Sequence, residues 1–235
     1  MIGTFNDIEA TRTLLHRDIG AILVEPLQSS GGVIPAKPEF LQFLRDAATD
    51  LGAVLIFDEV VTSRLHYHGI QGLFGIKPDM TTLGKYMGGG FSFGCFGGSQ
   101  EIMAPFDPSK PNCLVHSGTY NNNIFTMTAG IAGHKLVRPE EIARINSLGD
   151  ELRSGINKLV EAKGLGMWAT GYGSAIGLHF SSSLELLRDI VYFGLLKRNI
   201  LIARRGFIML NLTHTSESVI EFLRAFSEVL ESSGI

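Results

Sequence analysis

Residues 38–59 read PEFLQFLRDAATDLGAVLIFDE, and the fold class turns on them. Apolar side chains fall at Phe40, Phe43, Leu44, Ala47, Ala48 and Leu51. That recurring spacing of three and one lines a single face of an α-helix. Pro38 lies near the first turn, where its missing N–H costs nothing, and Gly52 follows the last apolar position. The next five residues, Ala53 to Phe57, are continuously apolar and too few for a helix, which predicts a buried strand ending at Asp58-Glu59. Upstream, Ala21-Ile-Leu-Val24 is a second short apolar run, stopped by Glu25-Pro26, and it too reads as a buried strand. Strand, helix and strand with short joins make a βαβ unit, hence parallel strands and a right-handed crossover.

Working outward, Met80 to Leu83 and Phe93 to Phe96 read as further strands, and Ile124 to Val137 as a helix with small residues on one face. Pro139-Glu-Glu141 opens a long helix with apolar positions from Ile142 to Val160. Beyond it, strand-like Ala175 to Phe180, Leu201 to Ala203 and Ile208 to Leu212 alternate with helical Leu184 to Lys197 and Ser216 to Leu230. The reading is α/β: a partial large domain with a parallel sheet over 1–137, then a small C-terminal α+β domain over 138–235, the boundary near Arg138.

Composition narrows the function. The chain has 235 residues, 45% hydrophobic and 18% charged, enough to bury a sizeable core without staples. Twenty basic and 23 acidic residues leave a net charge of -3, which argues against nucleic acid as a partner. No apolar run approaches the ~20 residues of a membrane span. Charges at Asp7, Glu9, Arg12, Arg17 and Asp18 interrupt any signal-peptide core. Two cysteines, Cys95 and Cys113, form no CxxC and no disulfide framework, which suits a reducing compartment; a cytoplasmic location is expected.

Most chemical motifs fail on inspection. Gly84-Lys85 is followed by Tyr86 rather than Ser or Thr, so it is no P-loop. The glycine after Gly171-x-Gly173 falls one place too far for GxGxxG, and a turn-rich strand entry explains it better. There is no HExxH, no metal-ligand spacing and no GxSxG. Two charges stand out. Asp58 follows a buried parallel strand, at the edge where open α/β sheets place ligands, and a carboxylate there needs a positive partner. Lys85 follows a short strand and is flanked by Gly84 and the run Gly88 to Gly90, which admits close backbone approach. Spacing alone leaves two further readings open: strand-end charges facing water, or a simple ion pair with each other.

Several stretches together carry a resemblance. Ile56-Phe-Asp-Glu-Val60, Gly75-Ile-Lys-Pro-Asp79 and Thr81-Thr-Leu-Gly-Lys-Tyr-Met-Gly-Gly-Gly90 resemble the core signature of class III aminotransferases, fold type I enzymes dependent on pyridoxal 5'-phosphate. Asp58-Glu-Val-Val-Thr62, Phe96-Gly-Gly98 and His116-Ser-Gly-Thr119 are similar to the branch of glutamate-1-semialdehyde 2,1-aminomutase. The likeness runs in order from about Asn6 to the C-terminus.

The resemblance implies roles. Lys85 matches the lysine that forms a Schiff base with the cofactor aldehyde and then shuttles a proton. Asp58 matches the carboxylate that pairs with the pyridine nitrogen, keeping the ring an electron sink. Val60 matches the apolar residue against one ring face; a core valine is an equally natural reading of the residue itself. Thr119 resembles the residue donating its hydroxyl and N–H to the phosphate across a dimer interface; a capping role for the following helix is the other reading. Val61 stands where many relatives carry glutamine. The implied activity is transfer of an amino group between an amino compound and an oxo acceptor by a homodimer. A glutamate-1-semialdehyde-type aminomutase is the alternative, although Arg204-Arg205-Gly206 lacks the glutamate that would align with a mutase site. Relatives also carry a long segment before the position of Met1, bearing the first strands and a phosphate-binding turn. A truncated, non-catalytic remnant with an exposed sheet edge, or an interaction subunit, is therefore a third expectation.

Overall fold

A computed structural model describes residues 1–182 and 185–232 of the chain. In chain order the elements are α1 (Ile8–Arg12), β1 (Ala21–Val24), β2 (Leu27–Gln28), β3 (Ile34–Pro35), α2 (Pro38–Leu51), β4 (Val54–Asp58), α3 (Gly69–Phe74) and β5 (Met80–Gly84). There follow β6 (Gly94–Gly98), α4 (Gln100–Met103), α5 (Ile124–His134), α6 (Pro139–Ala162), β7 (Met167–Tyr172), β8 (Ala175–Phe180), α7 (Glu185–Leu196), β9 (Phe207–Met209) and α8 (Ser216–Ser232). The chain divides into two compact units. One holds residues 1–26 and 36–138; the other holds 27–35 and everything from Pro139 onward.

The first unit is built on a four-stranded sheet of order β1-β4-β5-β6. The β1–β4 and β4–β5 pairs are parallel, with Val24 opposite Phe57 and Asp58 opposite Thr82. The helix anticipated between the first two strands is α2. Pro38 occupies its first turn, and Gly52 closes it in the left-handed conformation at φ 66°. Phe40, Leu41, Leu44, Ala47 and Ala48 are its buried face, and it packs on β1 and β4. Side chains alternate along a strand, so the fully buried Leu55 and Phe57 share one face of β4 while Ile56 and Asp58 share the other. The run Ala21 to Val24, expected to be buried, is instead a largely exposed edge: only Val24 of β1 is buried and Leu23 is 66% exposed, because β1 has a neighbouring strand on one side alone among the described residues.

The sheet is mixed rather than wholly parallel, because β6 runs antiparallel to β5. Only residues 85–93 join them, too few for the dozen or more of a parallel crossover. A 3-10 turn over Lys85–Gly88 and left-handed Gly89 and Gly90 reverse the chain instead.

The second unit is a three-stranded antiparallel sheet, β7-β8-β9, with α6, α7 and α8 enclosing a core that includes Leu152, Ile156, Ile176, Leu195, Phe222 and Phe226. Gly171 lies within β7, which the sequence reading missed; Gly173-Ser174 forms the two-residue turn into β8, with Gly173 at φ 50°. Leu201 to Ala203 is not a strand. Ala203 instead closes a tight turn around Gly206, donating its N–H to the Phe207 carbonyl at 3.1 Å. Of the anticipated helix from Leu184 to Lys197, Leu184 lies outside the described residues. Among those residues no helix is long and apolar enough to cross a membrane.

Candidate active site

The carboxyl ends of β4 and β5 lie side by side. Asp58 is the last residue of β4, and Lys85 is the first after β5. Asp58 pairs in register with Thr82, three residues before the lysine. Strand spacing and rise put the two Cα atoms about 11 Å apart. Asp58 Oδ1 accepts two hydrogen bonds, from the Val60 N–H at 3.1 Å and the Thr82 hydroxyl at 2.9 Å. Among the described residues no ion pair joins Asp58 to Lys85, which removes that reading.

Lys85 is exposed and sits in the left-handed region at φ 52°, a costly conformation for a residue with a Cβ. Strain of this kind collects where a side chain must be aimed. Val60 lies against Gly84: a Cβ at Gly84 would come within 3.3 Å of Val60 Cγ1 and 3.1 Å of the Phe93 carbonyl oxygen. The structure therefore brings Asp58, Val60 and Lys85 together. Thr119 lies in an exposed loop of the same unit. The helix cap suggested for it belongs to Asn123, whose Oδ1 accepts from the Thr126 N–H at 3.0 Å.

The surrounding residues hold these groups in place. Glu59 is 0% exposed, and its carboxylate accepts from the Thr62 hydroxyl at 2.9 Å, the Ile70 N–H at 2.7 Å and the Gln71 N–H at 3.0 Å. The Gln71 side-chain amide bridges Glu59 Oε1 at 3.3 Å and Thr81 Oγ1 at 3.1 Å. A buried carboxylate so supplied with donors pins residues 62–71 to the end of the sheet. Gly69 makes room for it, since a Cβ there would lie 2.5 Å from Glu59 Oε1. Beside Lys85, the Tyr86 hydroxyl donates to the Ser63 carbonyl at 3.0 Å, and its ring stacks on His134. Burial raises the Tyr86 pKa, with the nearby Arg64 guanidinium opposing; burial also lowers the Arg64 pKa.

Sequence reasoning missed Glu59, Gln71, Thr82 and Tyr86. Glu59 is adjacent to Asp58 in the chain, but strand alternation alone does not say which of two successive acids faces inward. Thr82 became visible only through the strand register.

The model of the family "Aminotransferase class-III" matches residues 3–230. The chain belongs to the class III aminotransferases. It is 43% identical over 245 residues to the beta-phenylalanine transaminase of Variovorax paradoxus, covering 98% of this chain and 56% of that protein. It is 35% identical to the glutamate-1-semialdehyde 2,1-aminomutase of Clostridium kluyveri, over 96% of this chain and 58% of the other. A solved transaminase with PLP bound superposes with a TM-score of 0.93 at 32% identity, covering 99% of this chain and 57% of that one. The class III chain thus spans a little over half the length of these relatives.

Proposed function

We propose that this class III chain carries the cofactor-holding part of a pyridoxal-phosphate-dependent aminotransferase, moving an amino group between an amino compound and an oxo acceptor. The observation that carries the reading is the juxtaposition of Asp58 and Lys85 at the ends of adjacent parallel strands. The residues present fit the cofactor. Lys85 offers an exposed amine for its aldehyde, and Asp58 has both donors on Oδ1, which leaves Oδ2 for a ring nitrogen. Gly84 lets the end of β5 pack closely against Val60, where a Cβ would crowd Val60 Cγ1 at 3.3 Å and the Phe93 carbonyl at 3.1 Å. When bound, pyridoxal phosphate supplies an electron sink that stabilises negative charge at the substrate carbon.

The chain's own contributions follow from position. Lys85 Nζ holds the cofactor and carries a proton to and from the substrate carbon. Asp58 holds the ring nitrogen in its cationic form. Val60, beside Gly84, packs on one ring face and excludes water. Thr119, exposed, reaches the phosphate of a neighbouring subunit in a homodimer. The exposed apolar side chains of α5, including Ile124 and Phe125, each 73% accessible, support such an association. Both cysteines are free, in keeping with a reducing cytoplasm.

The aminomutase reading shares this machinery and is favoured by the aminomutase relatives. Against it, the Arg204 guanidinium is committed to Asp189 through two hydrogen bonds of 2.9 and 2.7 Å, where a mutase glutamate was sought. Amino transfer from a separate donor to a separate oxo acid tests the proposal. Turnover dependent on both supports the transaminase; rearrangement of one amino-oxo compound without an acceptor would favour the mutase. No bound cofactor and no turnover would leave only the remnant reading.

A further inference from the structure

We infer that Thr82 is a positioning residue, which sets how Asp58 meets the ring nitrogen and how far it stands from Lys85; this rests on the cofactor reading above. Thr82 binds the end of β4 at two points. Its hydroxyl donates to Asp58 Oδ1 at 2.9 Å, and its carbonyl accepts the N–H of Glu59 at 3.0 Å. It also lies in the strand that ends one residue before Lys85. A single residue therefore links the carboxylate to the strand that delivers the amine, so a shift in one is transmitted to the other.

The choice of oxygen carries the chemistry. Both donors to the Asp58 side chain, Thr82 Oγ1 and the Val60 N–H, fall on Oδ1. They fix the carboxylate plane and leave Oδ2 to neither of them. A hydroxyl donor also stabilises negative charge on the carboxylate. A proton shared between Oδ2 and a ring nitrogen then rests on nitrogen, which is what an electron sink requires. Without the hydroxyl, the carboxylate competes better for that proton and can rotate about its remaining bond to Val60. Valine has the same branched shape as threonine and keeps the strand preference while removing the donor.

The test uses the full chain reconstituted with pyridoxal phosphate labelled with nitrogen-15 in the ring. The nitrogen signal reports where the proton resides, and Asp58→Asn provides the unprotonated reference. Thr82→Val should move the signal toward that reference and weaken cofactor retention roughly tenfold; Thr82→Ser should restore both. A merely structural threonine would lower the melting temperature in Thr82→Val while leaving the nitrogen signal in place, and that result would overturn the inference alone. If the unsubstituted chain takes up no labelled cofactor, the functional reading falls and this inference falls with it.

Discussion

Lys85 combines exposure with a left-handed backbone, and the two properties can be separated by substitution. Lys85→Ala and Lys85→Gly both remove the amine, but only glycine relieves the strain. The glycine variant should be more stable than the alanine variant by about 1 kcal/mol in urea unfolding, and equal stabilities would show the backbone to be unstrained. Asp58→Ala should keep the cofactor covalently attached yet lose most of the amino-transfer rate; an undiminished rate rejects its role. Tyr86 offers a test by pH. Its folded-state pKa is raised by burial above the ordinary value of 10.0, so its contribution to stability is present below that value and is lost as the pH rises above it. Tyr86→Phe should flatten the alkaline decline in the urea midpoint above about pH 10, and an unchanged slope would contradict the assignment. At this scale the sequence singled out Asp58 and Lys85, because a charge after an apolar run is conspicuous, and the strand register puts them at neighbouring strand ends. Thr82 and Glu59 were hidden, since their meaning depends on which strand lies alongside and which face each presents.

Among the elements, the βαβ unit was the most legible part of the fold: Pro38 and Gly52 bracket α2 as expected, and the apolar runs became β1 and β4. The direction of β6 was not legible, because it depends on a glycine turn rather than on periodicity. That turn is tightly packed. Gly89 is at φ 61°, and a Cβ there would fall 2.2 Å from the Ala129 carbonyl oxygen on α5, while one at Gly130 would meet the Met87 carbonyl oxygen at 2.7 Å. Gly89→Ala should therefore destabilise the first unit by at least about 2 kcal/mol and loosen the segment after Lys85. Hydrogen exchange at residues 85–93 would detect the loosening, and native protection would argue against the packing. Glu59 governs the other flank. Glu59→Ala leaves the buried donors of Thr62, Ile70 and Gln71 without their acceptor and should cost about 3 kcal/mol or more, read by urea unfolding. A cost under about 1 kcal/mol would mean that water replaces the carboxylate.

Across the whole molecule, each of the two units has its own core, and the segment Leu27–Pro35 belongs to the second although the chain enters it from the first. Residue-level patterns carry no signal for such a return, because β2 and β3 are only two residues each. Asp58, Val60 and Lys85 all lie in the first unit, so the proposed cofactor capture rests on that unit's residues. The most direct measurement is borohydride reduction of the purified chain with added pyridoxal phosphate, followed by peptide mapping. The account predicts a visible absorbance lost on reduction and a single phosphopyridoxyl label on Lys85, absent in Lys85→Ala. A label on another lysine, or none at all, would contradict it.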